Sequence, residues 1–213
     1  INITTQKNND GNRKAAIEVL SPGLLTTIQG SPRYGFAHLA LSAGGPMDRE
    51  AAGLANALLG NSEEAAGLEI TGTGPKLLFH VDTWVAWVGA QCTAQLDGKT
   101  IPGNRPVCIS KGQTLSFGAM TQGYRIFLAV AGGVESEFIL GGRGSHLSAG
   151  IGDNMVKKGD VLYLPEPSSA SAISLLPLKK KYSTTKTSNE TRYGIKNVRK
   201  SLLLNPRLRY SGK

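Results

Sequence analysis

The sequence predicts a mainly β fold, a closed barrel with one prominent helix. Three observations carry that prediction. Short apolar runs recur at close spacing, 27 glycines punctuate the 213 residues, and one segment repeats its apolar residues at helical period. The apolar fraction of 40% is ordinary for a globular core.

Residues 1–15 are polar and predict an arm with no hydrophobic signal-peptide core. Residues 16–167 form the predicted barrel domain. Within it Ala16–Leu20, Leu24–Gln29, Gly67–Ile70, Lys76–Phe79 and Trp84–Val88 read as strands, followed by Thr93–Leu96, Thr114–Phe117, Tyr124–Val130 and Val161–Leu164. Asp97-Gly98, between Leu96 and Ile101, predicts a two-residue hairpin turn, because that turn needs positive φ. Lys111-Gly112-Gln113 and Lys158-Gly159-Asp160 place further turns just before apolar strands. Strands this close together must hide their edges, and closure into a barrel hides them most completely. Met47, Ala51, Leu54, Ala55 and Leu58 share one helical face. Pro46 suits the first turn, Asp48 and Glu50 complement the positive dipole end, and Gly60 stops the helix.

The net charge is +9, but it is unevenly placed. Residues 168–213 hold 11 Lys/Arg against Glu190 alone, which leaves residues 1–167 near neutral. This basic segment reads as a solvated linker after the Pro/Ser-rich stretch that opens it, rather than as a nucleic-acid binder, since only scattered tyrosines accompany the charge. No run reaches the roughly 18 apolar residues of a membrane span. Two cysteines, Cys92 and Cys108, are too few for a disulfide scaffold and read as buried thiols of a reducing cytoplasm.

The densest candidate for chemistry is Arg33 to Asp48, whose glycines let the backbone bend around a ligand before running into the helix start. Ser42, Gly44 and Gly45 are its candidate binding residues, and a plain strand-to-helix connection is the structural alternative. Asp48 reads as a dipole partner or a proton acceptor, and Asn56 and Asn61 as binding residues or helix-end polar groups. Glu69 lies in an apolar strand, where an inward carboxylate needs partners. A second glycine cluster, Leu140 to His146, offers Arg143 as a fork of donors to a carboxylate or phosphate, with Ser145 beside it. There is no phosphate-binding P-loop, no dinucleotide glycine fingerprint and no Gly-x-Ser-x-Gly nucleophile elbow. His38, His80 and His146 lack zinc-ligand spacing and read as structural or solvent-facing.

Val19 to Gln29, Ser42 to Asp48, Leu54 to Asn61 and Leu68-Glu69-Ile70 occur in an order that is itself distinctive. Gly89-Ala90, Leu96-Asp97-Gly98, Leu128 to Val134 and Leu140 to Arg143 continue it. Over residues 17–165 this set resembles, in its N-terminal half, the family that holds the C-type subunit of 5-oxoprolinase, biotin-dependent carboxyltransferases and allophanate hydrolase subunit 2. The resemblance implies a cyclophilin-like β-barrel acting in ATP-dependent opening of 5-oxoproline to glutamate, with A-type and B-type partner proteins of the same complex. It makes Asp48, Glu69 and Arg143 the expected catalytic residues, and Ser42, Gly44, Gly45, Asn56, Asn61 and Ser145 the expected contacts to a small amide or lactam. Two relatives imply alternatives. One is carboxyl transfer from biotin to urea or a related amide. The other is a non-catalytic module that binds a B-type partner, like the antagonist of a sporulation-kinase inhibitor. ATP is expected at the level of the complex and biotin only under the first alternative; the Met-Lys pair of a biotin carrier is absent. Family members continue into a second similar domain, so residues 168–213 are expected to be a linker or the start of a domain this chain lacks. The family's Gln-Asp-Leu-Gly-Arg-like turn is replaced by Gln29 to Arg33, and its Gly-Ser-Arg-Ser-Thr-like loop by Gly141 to Ser145. An acid and hydroxyls are lost at these two places.

Overall fold

The computed structural model of the chain describes residues 15–153 and 155–165. The expected polar arm up to residue 14 and the basic segment 168–213 lie outside the described residues. In chain order the elements are β1 (Ile17–Ser21), β2 (Leu25–Gln29), α1 (Arg49–Leu59), β3 (Gly67–Thr71), β4 (Lys76–Phe79) and β5 (Thr83–Leu96). They continue with β6 (Lys99–Ile101), β7 (Val107–Ile109), β8 (Thr114–Val130), β9 (Phe138–Ile139), β10 (Gly142–Arg143) and β11 (Val161–Leu162).

One antiparallel sheet of nine strands curls into a half-barrel, with β8 as its spine. One edge of β8 pairs with β5 from Leu96↔Leu115 to Val85↔Val130. The other edge is shared. β4 takes the first half at Leu77↔Leu115 and β3 takes the second at Leu68↔Leu128, so the sheet forks. From β4 it runs to β1 and β11, and from β3 to β2.

β5 and β8 are each a single strand where the sequence predicted two. Polar and glycine residues between Gly89 and Thr93, and between Gly118 and Gly123, interrupt the apolar signal. Pairing nonetheless continues across register shifts between Gly89 and Ala94. Such bulges increase local twist and let a long ribbon bend. The Asp97-Gly98 turn forms as predicted, with φ of 49° and 79° and Leu96 opposite Lys99. The open side beside β2 is covered without a ladder: Ser145 N donates to Ile28 O (2.9 Å) and Val156 N to Thr26 O (2.9 Å), while Gly159 N reaches Val19 O of β1 (2.8 Å). The edge that a barrel would abolish is therefore masked by crossing chain.

The continuous apolar runs in β5 and β8 are explained by burial on both faces. Val85, Trp87, Ile126, Leu128 and Val130 point into the barrel core with Leu68, Leu77, Phe79 and Phe117. Trp87 meets Phe117 edge-to-face at 5.3 Å between ring centroids. The alternate residues Trp84, Ala86, Phe127 and Ala129 face outward, and α1 covers them with Ala51, Ala52, Ala55 and Leu59. Small residues let the helix lie close to the sheet. The buried face is thus turned about one residue from the predicted one: Leu54 and Leu58 are half-buried and Met47 is 73% exposed. The helix begins at Arg49 with Asp48 as its N-cap, and Pro46 lies before it. Cys108 is exposed and Cys92 half-buried, where burial raises its thiol pKa, so the expectation of two buried thiols fails. Cys108 belongs to the short outer strand β7, which among the described residues pairs only with β5. Among the described residues no helix is long and apolar enough to cross a membrane.

Leu128 is fully buried at the point where β3, β8 and β5 meet. Leu128→Ala should lower unfolding stability by about 2–5 kcal/mol, read as a reduced midpoint in urea with an unchanged slope.

Candidate functional site

The segment from Ser42 to Asp48 leads from a 3-10 turn (Ala37–Leu39) into α1, and two carboxylates fix its end. Glu69 stands on β3 opposite Thr27 and Phe127, on the face that α1 covers. Its Oε1 accepts from Met47 N (2.7 Å) and Asp48 N (3.4 Å), and its Oε2 accepts from Arg125 Nη1 (3.2 Å). Arg125 Nη1 also donates to Thr71 Oγ1 (3.1 Å). Asp48 caps the helix through Oδ1, which accepts from Ala51 N at 2.9 Å. Of the helix's own first N–H groups Ala51 N is taken by the Asp48 carboxylate, and Glu69 takes the N–H groups of Met47 and Asp48 just ahead of the helix. Beside it an open cleft of about 840 Å³ is lined by residues 47–50, 89–91 and 122–125.

The two glycine clusters singled out in the sequence meet at the turn after β2. Arg33 N donates to Ala43 O (2.8 Å) and Arg143 N to Ser31 O (2.8 Å). Gly142 has to be glycine for this contact, since a Cβ there would lie 2.8 Å from Arg33 N. At the centre is Arg33, 1% exposed, with Nε donating to Ile139 O (3.3 Å) and Nη2 to Gly144 O (2.8 Å). Burial lowers its pKa from the ordinary arginine value. Gly44 adopts φ +64°, and a Cβ there would lie 3.2 Å from Arg33 Nη1 and 3.7 Å from His146 Cδ2.

Ser42 and His146, 104 residues apart in sequence, are in direct contact: Oγ to Nε2 is 2.7 Å. On the other side of the imidazole, Ser148 Oγ lies 3.2 Å from Nδ1. With the proton on Nδ1, Ser148 accepts, Nε2 accepts from the Ser42 hydroxyl, and all three groups are satisfied. This is the arrangement by which a base draws a proton from a hydroxyl or from a group hydrogen-bonded to it.

Of the residues expected from sequence, Ser42, Gly44, Gly45, Arg143 and Ser145 come together at this corner, and Asp48 and Glu69 border it through the helix start. Arg143 is exposed; its guanidinium lies 5.2 Å from the Phe138 ring centroid, and Nη1 donates to Ser136 O at 2.6 Å. Asn56 and Asn61 lie instead towards the far end of α1. Asn56 Nδ2 donates to Ala65 O (3.1 Å), Asn61 Nδ2 to Asn56 Oδ1 (3.0 Å) and Val130 O (2.8 Å), and Asn61 Oδ1 accepts from Gly132 N (2.9 Å). Their amides pin the helix to the end of β8. Sequence reasoning missed Arg125 and the roles of Arg33, Gln29 and His146. An arginine set in a Gly-Ser-Pro turn carries no periodic signal that it will be buried.

Comparison with known proteins gives the family and the fold. The family model for the carboxyltransferase domain, subdomain A and B, matches residues 39–203. The chain belongs to this family. It is 36% identical over 166 residues to the urea amidolyase of Saccharomyces cerevisiae, which covers 76% of this chain and 9% of that protein. It is 34% identical over 149 residues to the C-type subunit of 5-oxoprolinase from Escherichia coli, covering 68% of this chain and 48% of that protein. The crystal structure of the K. lactis urea amidolyase aligns with a TM-score of 0.65 at 35% identity, over 73% of this chain and 10% of that one. That of TTHA0988 aligns with a TM-score of 0.68 at 37% identity, over 72% of this chain and 57% of that one. The chain thus spans less than half the length of the two curated relatives, 9% and 48%. Its mainly β, one-helix architecture is that of carboxyltransferase domains.

Glu69→Ala strips the carboxylate from two backbone donors and leaves Arg125 unpaired. Because Arg125 is partly exposed, the loss should be about 1–3 kcal/mol of stability. Asp48→Ala removes only the cap and should cost about 1 kcal/mol. Urea denaturation of both variants checks that order.

Proposed function

We propose that this chain works as a C-type component of an ATP-dependent 5-oxoprolinase complex in the cytoplasm, with A-type and B-type partner proteins. The observation that carries the reading is the 2.7 Å contact between Ser42 Oγ and His146 Nε2, held beside the Gly44-Gly45 loop. Opening a lactam forms a C–O bond from water, breaks the C–N bond, and requires a proton on the departing nitrogen. His146 is placed to take the proton through Ser42 and to return it to that nitrogen, while loop donors at Gly44, Gly45 and Arg143 hold the carbonyl oxygen. Asp48 and Glu69, first expected as proton carriers, serve this scheme by fixing the loop. ATP would be consumed by the complex as a whole.

A second reading, carboxyl transfer to urea or a related amide, is favoured by the likeness to yeast urea amidolyase, 36% identical over 76% of this chain. It requires a biotinylated carrier, so glutamate release that persists in the presence of avidin would separate the two.

In a reconstitution with the A-type and B-type proteins, His146→Ala should lower glutamate release from 5-oxoproline by about 10²-fold or more, with KM little changed. Ser42→Ala should give a smaller loss, and Arg143→Ala should reduce turnover through the oxygen contact. Unchanged turnover in His146→Ala would falsify the proton-transfer assignment.

A further inference from the structure

Opening a lactam asks Ser42 only to pass a proton, because an amide carbonyl is a poor target for an alcohol oxygen. A more electrophilic carbonyl asks more of the same hydroxyl. A serine nucleophile needs a base within about 2.6–3.2 Å, a third group that orients the base, and donors for the oxyanion. Ser42 Oγ lies 2.7 Å from His146 Nε2, and Ser148 Oγ lies 3.2 Å from Nδ1 across the ring. Ser42 is exposed and His146 half-buried, so the oxygen is open to an incoming carbonyl while the base is held. No glycine elbow surrounds Ser42, but such a constellation is recognised by geometry and roles rather than by sequence position.

The donors come from the chain just beyond. Gly44 and Gly45 adopt φ of +64° and +83°. Among the described residues neither of their N–H groups has a hydrogen-bond partner. Successive N–H groups in a turn form a concavity that takes an anion. The loop is packed in place, since a Cβ on Gly44 would lie 3.2 Å from Arg33 Nη1 and 3.7 Å from His146 Cδ2. Donors fixed in this way need no reorganisation when charge develops on a carbonyl oxygen. The same crowding by Arg33 and His146 favours a short acyl group.

We propose that Ser42 is a nucleophile, and that the chain by itself cleaves esters of small acyl groups through an acyl-Ser42 intermediate. Ser42 Oγ bonds to the ester carbonyl carbon as its proton passes to His146 Nε2. The carbonyl oxygen becomes an oxyanion held by the Gly44 and Gly45 N–H groups. The bond from carbon to the leaving alcohol breaks, and that alcohol takes the proton from Nε2. Water then adds to the acyl carbon and gives a proton to Nε2. The acid departs as Ser42 Oγ regains that proton. Ser148 is a positioning residue: by accepting from Nδ1–H it keeps Nε2 the acceptor. This activity needs neither ATP nor the partner proteins.

The test is labelling of the purified full chain with a fluorophosphonate, which loses fluoride to an activated serine and leaves ordinary serines unmodified. Intact mass and peptide mapping should find one adduct, on Ser42. p-Nitrophenyl acetate should be turned over with a burst of nitrophenolate, and Ser42→Ala should abolish both the burst and the turnover. His146→Ala should slow labelling of Ser42 by about 10²-fold or more. Ser148→Ala should slow it several-fold, and Ser148→Thr, which restores the hydroxyl, should recover it. A wild-type chain left unlabelled at Ser42 overturns the proposal, so the result does not depend on any variant folding. Labelling at full rate in a folded His146→Ala overturns the assignment of the base. Labelling without turnover of p-nitrophenyl acetate overturns the ester activity. Neither 5-oxoproline nor the partner proteins enter this test, so its failure leaves the lactam reading standing, and failure of the reconstitution leaves this activity standing.

Discussion

Two long paired strands whose residues are apolar on both faces cannot stand at a surface. β5 and β8 have this character, and burying each face dictates most of what surrounds them. On the inner side the sheet curls until Trp87, Phe117, Leu128 and Phe79 share one core. On the outer side Trp84, Ala86, Phe127 and Ala129 need a cover, and α1 is the element that supplies it. Its alanine face brings the helix close enough for Glu69, two positions along β3 from Gly67, to reach the helix start. A ribbon held for packing reasons thereby sets the geometry of a polar loop.

The two charged groups beneath that loop are treated differently. Glu69 accepts from two backbone N–H groups and an arginine, so its charge is matched inside the fold and its role is to hold Met47 and Asp48. Arg33 has two carbonyl oxygens and one nitrogen left over. Packing alone does not account for that difference, because an apolar residue of similar volume would fill the site without the desolvation penalty. The matched charge builds the loop, and the unmatched one lies buried where the two glycine clusters meet.

The sequence made legible what depends on period and punctuation. The nine predicted strand segments, the Asp97-Gly98 turn, the helix and its Gly60 stop all depend on local chemistry, and all appear. β7, β9 and β10 carry no such signal, and β6 is implied only by the Asp97-Gly98 turn before it, because two or three residues are too few to show a period. The union of strand segments into β5 and β8 was also hidden, since a bulge keeps backbone pairing while scrambling side-chain alternation. At the candidate site, the two glycine clusters were visible as backbone features. Their meeting was not, because it depends on contacts between residues such as Ser42 and His146 that lie 104 positions apart. Asn56 and Asn61 drew notice for their polarity near a helix, and that polarity serves to pin the helix end.

The family includes proteins named for amides of opposite character. Urea is neutral, whereas 5-oxoproline carries a carboxylate, yet both present a resonance-stabilised carbonyl and a nitrogen whose proton must move. A shared machinery needs only oxygen donors and a base, and the Gly44-Gly45 loop with Ser42 and His146 is of that kind. What separates the substrates is charge at the periphery. Arg33 does not decide between the branches, because Gln29 and Arg33 are the retained ends of a turn that the family shares, and the overall identities scarcely differ between them either.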